Sequence, residues 1–217
     1  MCVDLGLMQV PFFSVIMCTY QRAALIPRAI DSLLAQTETD WELLVVDDGS
    51  TDDTEHIVQK YGAMDRRIRY IRQDHGGSAR ARNTGIDVAQ GLFVTFLDSD
   101  DEYSLDHLTS RRTMLLSYPS IQLLHGGVTI IGDEYVIDKN DPSVKIHLSE
   151  CVVGGTFIVR RSVFHDIGGF DLVPYAEDAL FFERASTKGI VIAQTDHPTY
   201  IYHRDSPDAL TVTYGTT

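Results

Sequence analysis

Short apolar runs of strand character, alternating with segments of helical periodicity, constrain this chain more than any other feature. Residues 12–18 read FFSVIMC and residues 41–46 read WELLVV. Runs of that length and composition predict strands buried on both faces. Between them Ile26, Ile30, Leu33 and Leu34 recur at helical spacing, with Pro27 where a first turn tolerates it. Ser50 followed by Asp53 resembles a capping box and predicts a helix carrying Ile57 and Val58. Residues 68–71 alternate with arginines like a half-exposed strand, Gly76-Gly77-Ser78 opens a helix through Val88, and residues 92–97 form another buried strand. Strand returning through helix to strand makes a parallel sheet covered on both faces.

The pattern changes from about residue 119 to 150, where short β-type runs (128–131, 135–137 and 144–147) sit between Gly and Asp turns as a small β excursion. A strand at 156–159, a helix around Val163, the turn Gly168-Gly169-Phe170-Asp171, a helix at 177–188 stopped by Gly189, and a strand at 190–193 complete the reading. No repeat or low-complexity linker divides the chain, and 217 residues suffice for one sizeable core. The expectation is a single α/β domain over 1–217, with a Rossmann-like, mostly parallel central sheet and helices on both faces.

In open α/β sheets, ligands sit outside the carboxyl ends of the strands. Two predicted strands end there in acids, Asp47-Asp48 and Asp98-Ser99-Asp100-Asp101. Carboxylates gathered in one crevice suit Mg²⁺ or Mn²⁺, hard ions that share oxygen ligands with a diphosphate. The D-x-D triplet alone carries little, because 23 aspartates in this chain would produce roughly two by chance. Position lifts Asp98 and Asp100 above that background, whereas Asp52, Asp53 and Asp101 read as turn caps. A formal charge of −13 argues against nucleic acid or an anionic membrane surface as main partner. No run approaches the ~20 apolar residues of a membrane span. Cys2, Cys18 and Cys151 are odd in number and lack metal-ligand spacing, which fits a reducing, cytoplasmic setting. The apolar stretch 5–18 reads as a first strand instead of a signal peptide, since Asp4 precedes it and Pro11 interrupts it.

With these residues in order, the sequence resembles glycosyltransferase family 2, the inverting GT-A group. The resemblance runs through residues 14–22 (SVIMCTYQR), 33–37 with 41–50, 77–86 (GSARARNTGI), Asp98-Ser99-Asp100-Asp101, and Gly168–Asp171 followed by Glu177-Asp178. It implies a nucleotide-binding half at about 12–101 and an acceptor and catalytic half at about 102–217. It also implies a role for each position. Asp48 accepts a ring N–H of the base, Tyr20 stacks on it, and Thr19 and Arg22 flank the same turn. Ser78 and Arg82 lie near the nucleotide, the guanidinium being suited to phosphate. Asp98 sits near the ribose, Ser99 belongs to the same nucleotide-binding set, and Asp100 holds Mn²⁺ or Mg²⁺ against both phosphates. His203 closes over the metal. Asp178, beside Glu177, is the general base that an inverting displacement requires. The donor implied is a nucleotide-sugar, with UDP-sugars favoured. The acceptor is a glycan, a lipid-linked intermediate or a protein, reached at the inner membrane face through the acceptor or a partner subunit, with a homodimer as a further arrangement.

The sequence departs from the family pattern after Glu177-Asp178, where Ala179 and Leu180 precede Phe181 and Phe182. Acceptor recognition is therefore expected from residues 119–155, the termini or another subunit. A haloacid-dehalogenase-type phosphatase also carries Asp-x-Asp after a strand, but Glu102 stands where it needs Thr or Val. A phospho-receiver domain lacks the strand and helix that lie ahead of Asp47-Asp48, and no G-x-G-x-x-G follows the first strand as a dinucleotide enzyme requires. A catalytically dead nucleotide-sugar-binding domain is the remaining rival.

Overall fold

The computed structural model describes residues 10–141 and 143–205, so Cys2 and most of the stretch before residue 12 lie outside the described residues. In chain order the first half contains β1 (Phe13–Thr19), α1 (Ile26–Leu34), β2 (Trp41–Asp47), α2 (Thr54–Met64), β3 (Ile68–Arg72), α3 (Ser78–Val88) and β4 (Phe93–Phe96). There follow β5 (Glu102–Tyr103), α4 (His107–Ser117), β6 (Leu123–His125), β7 (Val128–Gly132), β8 (Tyr135–Ile137) and β9 (Lys145–His147). The last elements are β10 (Ile158–Arg160), α5 (Ser162–Ile167), α6 (Glu177–Thr187), β11 (Ile192–Gln194) and β12 (Tyr200–Arg204).

Seven strands form one sheet in the order β11-β6-β10-β4-β1-β2-β3. The four strands of the first half are parallel to one another, and β10 runs antiparallel to both β4 and β6. The mostly parallel sheet expected from the sequence is therefore present. Successive strand side chains point to opposite faces, so the unbroken apolar runs of β1 and β2 feed two cores. Phe13, Val15, Met17, Leu43 and Val45 pack with Ile26, Ile30 and Leu33 of α1 and Leu108 and Leu115 of α4. Ile16, Leu44 and Val46 pack on the other face with Ala79 and Ala81 of α3, Val163 of α5 and Phe181 of α6. Burying each large apolar side chain contributes about 1.5–3 kcal/mol, which is why a continuous apolar run, and not an alternating one, marks these strands.

Three local expectations change. Ser50 and Asp53 do not form a capping box: Ser50 Oγ accepts the Gln21 N–H at 2.9 Å, while Asp52 Oδ1 receives the Thr54 N–H and hydroxyl at 3.1 and 2.6 Å. The excursion expected at 119–150 contributes β6 to the central sheet and β7 to a second sheet, and the β8–β9 hairpin stands apart from both. Asp101 is more than a turn cap. It is fully buried, and its carboxylate accepts Tyr200 Oη at 2.6 Å and the His203 N–H at 2.8 Å. Those two bonds fix β12 beside β5 in a small second sheet, β5-β12-β7. Burial, with Asp98 and Asp100 nearby, pushes the Asp101 carboxyl well above its ordinary value, and the two hydrogen bonds work against that rise.

Tyr200→Phe removes one of the partners of a buried acid while keeping the ring. The expected cost is about 1–3 kcal/mol, read as a lower denaturant midpoint with an unchanged m-value.

Candidate active site

The carboxyl ends of β1, β2 and β4 open onto one cavity of about 860 Å³. Parallel register sets this up, because Thr19 at the end of β1 lies opposite Asp47 at the end of β2. The cavity wall contains Thr19, Tyr20, Arg22, Asp48, Ser78, Arg82, Asp98, Ser99, Asp100, Glu177 and Asp178. His203 is not part of it. Its Nε2 lies 2.7 Å from Glu102 Oε1 and its Nδ1 3.6 Å from Asp205, so the structure groups it with the β5–β12 sheet and not with Asp100. Parity of strand position explains this: the backbone N–H of His203 is committed to Asp101, and the ring goes where β12 directs it.

Asp48 is buried at the foot of the cavity. Its Oδ1 accepts Gln73 Nε2 at 2.6 Å and the Gly76 N–H at 2.9 Å, and its Oδ2 accepts the Gly77 N–H at 2.8 Å. His75 Nδ1 lies 2.9 Å from the same Oδ2. The residue that the resemblance assigns to the base thus also gathers the whole loop between β3 and α3. Gly77 has φ +89°, which turns its N–H toward the carboxylate in a conformation that side chains resist. Tyr20, half-exposed, stacks on the His75 ring with centroids 4.3 Å apart. Thr19 Oγ1 is buried in the same wall, and no partner for it exists among the described residues. A buried hydroxyl left unpaired is costly.

Arg82 is bound on two sides by acids of the site. It was expected near the nucleotide and lines the cavity, and there its Nη1 donates to Glu177 Oε1 at 2.6 Å and its Nη2 to Asp98 Oδ1 at 3.2 Å. Ser78 Oγ donates to the same Glu177 oxygen at 3.0 Å. The guanidinium sits near the rings of Phe96 and Phe170, so it is desolvated as well as paired. Burial opposes its charge, but Asp98 and Glu177 outweigh burial and hold it protonated. One side chain from α3 therefore ties the loop after β4 to the first turn of α6.

Asp178, the next residue, presents its carboxylate to the cavity. Oδ2 accepts the Gly154 N–H at 2.9 Å and Oδ1 the Ala179 N–H at 2.8 Å. Burial raises the carboxyl above its ordinary value, Arg82 opposes the rise, and Glu177 adds to it. A Cβ on Gly154 would lie 2.8 Å from Asp178 Cβ, and one on Gly155 would lie 2.2 Å from Tyr200 Oη. This glycine pair was visible in the sequence as a dipeptide, but only the fold reveals what it makes room for. Two non-glycine residues among those described have positive φ, Gln21 (55°) and Ala176 (60°), and both line the cavity. Strain of that kind persists only where the surroundings impose it; here it aims Glu177 and Asp178 inward. Cys18 also lines the wall, but burial pushes its thiol up to about 12, which removes it as a nucleophile. His75, Gln73, Gly154 and Ala176 were missed by sequence reasoning.

Fold and cavity together define an α/β protein with an acid-lined cavity at its strand ends. The sequence model of the family described as "Glycosyl transferase family 2" matches residues 14–134, and the chain belongs to that family. It is 30% identical over 220 residues to the uncharacterized glycosyltransferase EpsJ of Bacillus subtilis, covering 93% of this chain and 63% of the relative. It is 35% identical over 151 residues to the Escherichia coli UDP-Glc:alpha-D-GlcNAc-diphosphoundecaprenol beta-1,3-glucosyltransferase WfgD, covering 67% of this chain and 58% of that protein. The crystal structure of S. aureus TarS 1-349 in complex with UDP-GlcNAc superposes with a TM-score of 0.77 at 25% identity, over 93% of this chain and 61% of TarS 1-349. The chain thus spans less than two thirds of the length of each of these proteins.

Removing the shared guanidinium leaves Glu177 buried without its counter-charge. Arg82→Ala is expected to cost about 3 kcal/mol in urea unfolding, with Arg82→Lys recovering part of the loss because one ammonium can serve only one of the two acids well.

Proposed function

We propose that this chain carries the catalytic machinery of an inverting glycosyltransferase that moves a sugar from a nucleoside-diphosphate sugar, a UDP-sugar in the first instance, to an acceptor hydroxyl in glycan synthesis. One observation carries the reading: a single cavity joins the nucleotide-side residues Asp48, Asp98 and Asp100 to a second, basic carboxylate at Asp178. The similarity to TarS, whose structure contains UDP-GlcNAc, and to WfgD, named for a UDP-Glc donor, supports the donor class.

In this reading the base lies against Tyr20 and Asp48, and the ribose and diphosphate extend along Asp98, Ser99 and Asp100. The unpaired Thr19 hydroxyl supplies a donor or acceptor to the same ligand. Asp178 takes the proton from the acceptor hydroxyl as that oxygen bonds to the anomeric carbon. The bond from that carbon to the diphosphate breaks on the opposite face, and the nucleoside diphosphate departs. Glu177 does not transfer the proton. Held by Arg82 and Ser78, it fixes the start of α6 and keeps a negative charge beside Asp178 that favours the protonated carboxyl. The raised basicity of Asp178 suits a group that must accept a proton near neutral pH.

A divalent cation fits this site on the chemistry of its donors. Among the described residues no cluster of three or more His, Cys, Asp or Glu side chains forms a closed cage. Mg²⁺ and Mn²⁺ accept such a site, taking one or two carboxylates and completing their shell with water and substrate phosphate. Asp100, with Asp98, would hold the ion, and when bound it supplies charge stabilisation to the departing diphosphate. No helix among the described residues is long and apolar enough to cross a membrane. We place the enzyme in the cytoplasm, reaching a glycan, lipid-linked or protein acceptor either directly or through a second copy or partner subunit.

Asp178→Asn is expected to bind donor as the parent does while transfer falls about 10²–10⁴-fold, measured by calorimetry with UDP-sugar and by release of UDP. Undiminished turnover removes Asp178 from the reaction. The base works only when ionised, so the rate falls as pH drops through its pKa. Because that pKa is raised, the acid limb of kcat/KM is expected above the ordinary carboxylate value of about 4. For the cation, Asp100→Ala is expected to abolish the Mn²⁺-dependent part of UDP binding. UDP affinity unaffected by EDTA in the parent overturns the metal assignment.

A further inference from the structure

The ring of His75 does in this structure what a nucleobase is asked to do. It is a flat nitrogen heterocycle, stacked on Tyr20 with centroids 4.3 Å apart and planes 29° from parallel. Its Nδ1 lies 2.9 Å from Asp48 Oδ2 and 3.1 Å from the Asp48 backbone oxygen. Both neighbours are acceptors, so the proton of the imidazole sits on Nδ1 and points at Asp48. A face on Tyr20 and a ring N–H on Asp48 are the two contacts that the donor reading reserves for the base.

The carboxylate has no room for both. An ionised carboxylate offers about four lone-pair sites. Gln73, Gly76 and Gly77 take three of those on Asp48, each from a group that the loop geometry holds in place. The fourth is taken by the one exposed partner, since the His75 side chain is 60% accessible. Gly49, φ +89°, brings the β2 turn so close that a Cβ there would lie 3.2 Å from the His75 nitrogen. The backbone at His75 thus lies against the β2 turn, while 60% of its side chain is accessible to solvent.

We propose that His75 is an internal stand-in for the base, occupying the base subsite in the ligand-free protein and swinging out when the donor enters. The proposal rests on the donor reading above and adds to it a competitor built into the chain. Occupation by the ring keeps Tyr20 and Asp48 covered, and it lowers the apparent affinity for every donor by the fraction of molecules in which the site is open. It also favours bases whose stacking and N–H together exceed what an imidazole provides, so His75 sets a threshold for donor selection.

The test is calorimetric titration of UDP, with Mn²⁺ present, into the parent chain, His75→Ala and His75→Phe. A plug closed about two thirds to nine tenths of the time weakens binding about three- to tenfold. His75→Ala is therefore expected to bind UDP that much more tightly, and His75→Phe, which can stack but not donate, to fall between. Equal or weaker binding by His75→Ala overturns the proposal and leaves the donor reading standing, with His75 then a second wall against the base. Absence of UDP binding by both parent and His75→Ala removes the donor reading, and this proposal with it. Nitrogen NMR of the histidine side chains reads the same event directly. On saturation with UDP the His75 Nδ1 resonance is expected to move toward its position in Asp48→Asn, and a resonance that stays in place overturns the swing.

Discussion

The shared guanidinium of Arg82 is the interaction on which the site depends. A cavity that gathers Asp48, Asp98, Asp100, Glu177 and Asp178 would otherwise place several like charges where water is partly excluded. Repulsion of that kind is relieved by protonation, by a cation or by a buried positive side chain. Arg82 supplies the third, bonding Asp98 with one nitrogen and Glu177 with another. Its position on α3 matters as much as its charge, because α3 packs on β1 and β2. The two halves of the site are therefore held in register by a charge pair, and not by a continuous strand or helix.

The arrangement also explains why the acids differ in character. Asp98 and Glu177 are bonded by the arginine that joins them. Asp178 is near enough to Arg82 to feel it, yet burial dominates and its carboxyl rises. Asp101 lies deeper, is closed off by Tyr200 and His203, and rises further. Four carboxylates within one neighbourhood thus divide into two that anchor, one suited to proton transfer and one that ties a strand. Spacing along the chain does not predict that division, since Asp98 and Asp101 come from the same acidic run.

Much of the first half was legible in the sequence because the physics there is periodic. Apolar runs in β1, β2 and β4 report burial on both faces, and strand ends in a parallel sheet must converge, so Asp48 and Asp98 could be placed on one edge before any coordinates. The second half was less legible. A strand of three residues such as β6 has no period to detect, and its place in the sheet is decided by pairing with β10 and β11. His203 stands apart from the cavity lining for a related reason. A histidine near a strand end can face either side, and the pairing of β12 with β5 and β7 chooses between them. Arg82 was read by its chemistry, which suits phosphate, but the neighbours that claim its donors lie 16 and 95 residues away.

Apart from the side chains of Gln73 and His75, the contacts that sequence reasoning missed are made by backbone groups or by glycine. Gly76 and Gly77 hold Asp48 through N–H donors, Gly154 holds Asp178 in the same way, and Ala176 aims α6 by its left-handed turn. A backbone N–H is present at almost every position, so it leaves no compositional trace. Its use is fixed by φ, by what the absence of a Cβ permits, and by which chain segment lies opposite. Asp48 illustrates the consequence. Its side chain reads as a ligand-binding acid, yet three of its four acceptor sites serve the fold before any ligand arrives. Recognition at such a residue is an exchange of one partner for another at a carboxylate that is never empty, and its selectivity is set as much by the departing group as by the arriving one.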